Sequence, residues 1–197
     1  MLRSVYLAGV AYIALCAYAV SQSRRPAVSG PDHPIAIHQP QTAELPPGDA
    51  AGWFAGIKPF CNTVEAETAL RQRPAPAGRD GTGYQAACLA LAGKIDQARG
   101  LLAALAGDDQ WRAAGIVFEV AHPVADAGDD RSAGPIMAMV TDFWPNHYMA
   151  LYHAGVSEVA LGDLGSARRH LEAFLRTYQV EDGWRSNAMA TLDRIGQ

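Results

Sequence analysis

An all-α fold is what this sequence predicts, and three observations predict it. Helix-forming residues dominate, alanine above all, while runs of β-branched residues are sparse. Of the 197 residues, 49% are apolar and 18% charged, so the chain can bury a core. A glycine, an alanine and a bulky apolar residue also return in fixed order at nearly fixed spacing, the mark of stacked helix pairs. The expected organisation is a targeting or anchor segment at 1–23, a linker at 24–50 and one helical-repeat domain at 51–197.

Residues 4–23 contain no charged side chain. Twenty helical residues span roughly 30 Å, the thickness of a bilayer's hydrocarbon core. Arg3 flanks one side and Arg24 and Arg25 the other, so charge hardly selects an orientation. Two readings fit: an uncleaved N-terminal anchor with the domain exported, or a signal peptide cleaved after the small-x-small run Ala17-Tyr18-Ala19, which would leave a secreted or periplasmic protein. Cys16 is a poor lipidation site because bulky Leu15 precedes it. Prolines crowd the linker at 26, 31, 34, 40, 46 and 47, so it is expected to be an extended spacer. His33 and His38 are read as solvated parts of it.

The domain is expected to open with a helix over 51–60, stopped by Pro59. A second follows Asn62 and Thr63, acidic in its first turn, basic in its last, and broken by the Pro/Ala/Gly run at 74–78. The glycine-rich stretch Gly78 to Gly83 has no Walker lysine and follows no strand, so it reads as a loop.

The repeat comes next. Gly93, Gly128 and Gly162 lie thirty-five and thirty-four residues apart. Ala98, Ala133 and Ala167 keep that spacing, as do Leu102, Met137 and Leu171. Helical stretches precede each glycine, at 84–92, 116–127 and 148–161. The glycine is expected to close that helix in the left-handed conformation, with an adjacent polar residue capping the next. The alanine belongs where two helices cross closely and the apolar residue one turn later in the same seam. Pro123 is expected to kink or shorten its helix. Asp182 is expected to cap a final helix near 183–195 that covers the last unit.

These residues resemble the tetratricopeptide repeat family. The third unit fits best, with Leu151, Ala154, Gly155, Ala167 and Leu171 on the pattern's places; Glu158 and Gln179 depart from it. The second supplies Val117, Val120, Ala121, Ala133, Met137 and Pro145; the first supplies Ala86, Leu89, Ala98 and Leu102. The resemblance implies an α-solenoid of about three helix hairpins, at roughly 79–113, 114–147 and 148–181. It also implies a non-catalytic adaptor whose first helices line a concave groove for a protein or peptide partner. The groove residues would be Phe118, His122, Asp126, Met149, Tyr152 and Val156. A tether at 4–23 would hold that groove beside membrane partners.

Other chemistry is weakly signalled. No metal motif, nucleotide loop or catalytic motif occurs, so no cofactor or metal is expected and the chain reads as a non-enzyme. Net charge is −4 with no basic stripe, which argues against nucleic acid. His122 and Asp126 share a helix face at i, i+4, with His147 and His153 one unit on; an enzyme using this region is the alternative reading, but no nucleophile or third ligand has obvious spacing to them. Arg168, Arg169 and Arg176 read as a solvated outer face. Cys61 and Cys88 are either a disulfide, if the domain is exported, or two buried thiols.

Overall fold

The structure, a computed structural model, describes residues 49–196, and all of them belong to one compact unit. The anchor or signal segment and all of the linker before Asp49 lie outside the described residues. Nine α-helices and no strand occur among those described: α1 (Ala50–Ile57), α2 (Ala66–Gln72), α3 (Arg79–Leu91), α4 (Ile95–Ala103), α5 (Asp108–Asp126), α6 (Asp130–Phe143), α7 (Tyr148–Leu161), α8 (Leu164–Thr177) and α9 (Gly183–Ile195). None of them is long and apolar enough to cross a membrane.

Helix α1 starts at Ala50, inside the stretch assigned to the linker, because the Asp49 carboxylate accepts a hydrogen bond from the Gly52 amide. Pro59 follows in a single 3-10 turn, Lys58–Phe60. Asn62 then folds back on its own chain, its side-chain oxygen accepting from the amides of Val64 and Glu65 just before α2. A Cys61–Cys88 disulfide, with Cα atoms 4.8 Å apart, ties this N-terminal pair to α3. Closing a loop of that length restricts the unfolded chain enough to contribute about 3–4 kcal/mol.

The three marker glycines occupy equivalent corners. Gly93, Gly128 and Gly162 have φ of +75°, +76° and +87°. Each corner carries the same pair of bonds: the glycine amide to the carbonyl three residues back, and the next amide to the carbonyl five back. Asp129 and Asp163 then cap α6 and α8 through the Ser132 and Ser166 amides, whereas Lys94 gives α4 no side-chain cap. Ala98, Ala133, Ala167, Leu102, Met137 and Leu171 are all fully buried. The third pair shows the seam most plainly: a Cβ on Gly155 would lie 2.6 Å from the Leu171 side chain, so only glycine lets α7 and α8 close there. The Asp182 carboxylate caps α9, accepting from the amides of Trp184 and Arg185.

Several elements differ from expectation. The glycine-rich stretch is helix from Arg79 onward, not loop. Gly81 lies under the Pro76 backbone and Gly83 against Ala113 and Ile116, so packing outweighs glycine's poor helix propensity. Helix α5 begins at Asp108, upstream of 116, so the boundary drawn between Ala113 and Ala114 falls inside it. Pro123 does not shorten α5, which runs on to Asp126. It lies in the last turn, where a missing amide costs one bond and the Pro123 carbonyl still accepts from Ala127.

Candidate functional site

The accessible concavity runs along α1, α3 and α5 and ends at the turn before α7. Two overlapping hollows of about 480 and 440 Å³ share Tyr84, Arg112, Ile116 and Trp144. Asp49, Arg79, Asp80 and Trp111 extend one end, and Lys58, Glu119, Val120 and His147 the other. The wall is built by helical spacing: Trp111, Gly115 and Glu119 stand one turn apart on α5, and Arg112, Ile116 and Val120 beside them. Gly115 makes room for the Trp144 ring, whose Cζ3 would meet an added Cβ at 3.1 Å. Trp111 and Trp144 pack edge to face with centroids 5.0 Å apart.

Charge along this cleft is unevenly satisfied. Arg79 bonds Asp80 at 2.6 Å and lies 3.9 Å from Asp109; the Asp80 hydrogen bond raises its pKa. The Arg112 guanidinium lies 4.9 Å from the centre of the Trp111 ring, and among the described residues neither it nor Lys58 has an acidic partner within ion-pair distance.

The residues the sequence nominated as a groove are not this surface. Phe118 and Tyr152 are only 5% and 7% exposed, so both are core rather than groove residues. Phe118 stacks on His122 and packs at a tilt on His147, and Tyr152 packs on Phe174 and Trp184 while its hydroxyl donates to the Asn187 side chain. Burial pushes the Tyr152 hydroxyl pKa up. Met149 and Val156 are half-buried against the same cores. His122 is half-buried and Asp126 exposed. The real lining residues were readable in principle: carrying α5 back to the acidic pair after Gly107 places Trp111, Arg112, Gly115 and Ile116 on one face.

His122 and Asp126 do gain a third neighbour, and it comes from α7. The Asp126 Oδ1 lies 3.4 Å from His122 Nε2 and 3.6 Å from His153 Nε2. His153 is buried, and burial first, then the neighbouring His122, lowers its pKa, with Asp126 and Asp130 opposing. Spacing along one helix places His122 beside Asp126, but the approach of His153 depends on how α7 packs, which the sequence spacing does not contain.

A second polar cluster joins α6, α7 and α8. His170 Nδ1 lies 2.7 Å from Glu158 Oε2, and its Nε2 lies 3.3 Å from Thr141 Oγ1. The order resembles a hydrolase triad, but the Thr141 hydroxyl donates to the Ala138 carbonyl at 2.7 Å and so does not present its proton to the imidazole. This cluster binds three helices together. Arg168, Arg169 and Arg176 are exposed on α8.

Comparison with known protein families, with curated proteins and with solved structures returns no match.

Proposed function

We propose that the chain is a non-catalytic, tetratricopeptide-like α-solenoid adaptor, carried at a membrane with its helical domain exported, that seats a partner peptide in the cleft along α1, α3 and α5. The reading rests chiefly on that cleft, an aromatic wall beside Arg112 and Lys58, which have no acidic partner within ion-pair distance among the described residues. Tyr84 on α3, Trp111, Arg112 and Ile116 on α5, and Trp144 at the end of α6 supply the wall, instead of the residues expected from sequence. Trp and Arg in a concave, part-desolvated site are the residue types that most often carry binding energy. The matching occupant is an extended segment with an aromatic or aliphatic side chain for the tryptophans and a carboxylate for Arg112. The disulfide agrees with an oxidising compartment, and the uncharged stretch at 4–23 would provide the tether.

The test is site-specific photo-crosslinking in the full chain. A crosslinker at Glu119, in the cleft, should capture a discrete partner, and one at Arg169, on the outer helix, should not. Arg112→Glu should weaken that capture tenfold or more. Equal capture from both faces, or capture indifferent to Arg112→Glu, overturns the cleft. A reporter fused after Gln197 that is active only in the cytoplasm would overturn the exported placement.

A further inference from the structure

We propose that His122, Asp126 and His153 form a binding site for a zinc-class divalent cation that ties α5 to α7. This site is independent of the partner cleft. The three side chains offer one ligand atom each, and all of these atoms lie within 4.8 Å of one another. Two of the separations, 3.4 and 3.6 Å, match the edge of a tetrahedron built on bonds of about 2.0–2.1 Å, which is about 3.3 Å.

The stronger observation is what these nitrogens lack. The Nε2 atoms of His122 and His153 are both buried and have no hydrogen-bond partner. The His153 side chain is only 8% exposed. A buried, unpaired ring nitrogen is costly, and two facing one carboxylate are a rare concentration of that cost. With both Nε2 atoms unprotonated, three lone pairs converge. One water donates to only two acceptors, whereas a divalent cation receives all three.

The donor set selects the ion class. Two imidazoles and one carboxylate suit zinc and its first-row neighbours better than calcium or magnesium, which prefer oxygen throughout. The neighbouring charges are carboxylates, Asp126 beside His153 and Asp130 opposing the fall in its pKa. Asp130 is held by the Ser157 hydroxyl, which donates to it at 2.8 Å. Rings shield the site on both sides, Phe118 stacked on His122 and Trp184 edge-on to His153. Asp126, with its side chain 52% exposed, leaves the fourth position facing water. The cation would therefore bridge two helices whose backbones share little direct contact.

The experiment titrates full-length protein, purified in detergent with its affinity tag removed, with zinc sulfate against a chromophoric chelator, and follows Tm in parallel. One zinc should bind per chain and raise Tm, and Co²⁺ in its place should show the visible absorption of tetrahedral coordination. Asp126→Asn and His122→Gln, both at solvent-reached positions, should each weaken zinc at least tenfold, since even outer-shell changes cost that much. Variants at His170, or at His33 with His38, should leave affinity unchanged. Absence of saturable one-to-one binding, binding that survives Asp126→Asn and His122→Gln, or binding lost with the His33/His38 pair would each overturn the site.

Discussion

The two junctions between successive helix pairs are built differently, and one repeat position accounts for it. At the first, α5 packs directly on α3; at the second, α7 packs chiefly on α6 and approaches α5 little. Stepping by the repeat interval, Gly83 on α3 corresponds to Phe118 on α5 and Tyr152 on α7. Where Gly83 stands, the backbone of Ala113 would be 3.3 Å from an added Cβ, so two helices meet with almost nothing between them. At Phe118 a buried ring stands in that place, packed on the His147 that caps α7, and would act as a spacer. Close approach moves to α6, where a Cβ on Gly134 would lie 2.8 Å from the Ser157 Cβ. The gap left between α5 and α7 is the space that His122, His147 and His153 occupy. The close contact thus moves from α3–α5 at the first junction to α6–α7 at the second.

The largest break in this comparison is Phe118→Ala. The ring is buried, stacked on His122 and packed on His147, so truncation should cost about 3–5 kcal/mol in urea unfolding. A loss under about 1 kcal/mol would mean that α7 is positioned by α6 alone and that Phe118 is no spacer.

The same comparison shows how far the sequence could be read. The all-helical fold, the corner glycines and the Asp182 cap follow from local chemistry, because each depends on residues within a turn or two. The buried Ala98, Ala133 and Ala167 follow from periodicity. What escaped is non-local. Glycines at 81 and 83 look like a loop until Pro76 and Ile116 are seen to press on them. Phe118 and Tyr152 look like groove anchors because a helical wheel gives a face but not its neighbour. The cleft and the three-residue cluster both need the distance between helices, which spacing along one helix does not contain.

Smaller and more diagnostic are Gly83→Ala and Gly134→Ala. Alanine favours helix by about 0.5–1 kcal/mol over glycine, so an unconstrained site would be stabilised. At Gly83 the new methyl meets the Ile116 Cβ at 3.2 Å and the Ala113 Cα at 3.3 Å, and at Gly134 the Ser157 Cβ at 2.8 Å, atoms fixed to their helix backbones. Overpacking of about 1–3 kcal/mol should outweigh the propensity gain and leave each variant less stable by about 1–2 kcal/mol. Gly115→Ala serves as contrast, because its nearest neighbour is the half-buried Trp144 ring, which can shift. It should be neutral or slightly stabilising. If all three behave alike, the moved contact does not explain the two junctions.

The smallest effect concerns pH and belongs to the second junction alone. His147 caps α7 by accepting the Ala150 amide on Nδ1 at 3.2 Å, which only an imidazole unprotonated there can do. Burial, first, lowers its pKa from 6.5, opposed by a hydrogen bond to its own backbone and by Glu119, with neighbouring His122 adding to the lowering. The unfolded chain therefore binds the proton more readily than the folded one. The stabilisation from this residue is complete above about pH 6.5 and is lost as pH falls from there through the depressed folded value. Its size is about that of one cap, ~1 kcal/mol. His147→Asn keeps a capping oxygen that does not titrate, so its unfolding free energy should fall less between pH 7.5 and 5.5 than that of the parent chain. Some slope should persist from His153, whose burial acts in the same direction. An undiminished slope in His147→Asn would place the acid sensitivity elsewhere, and the first junction, with no histidine in its α3–α5 contact, could not supply it.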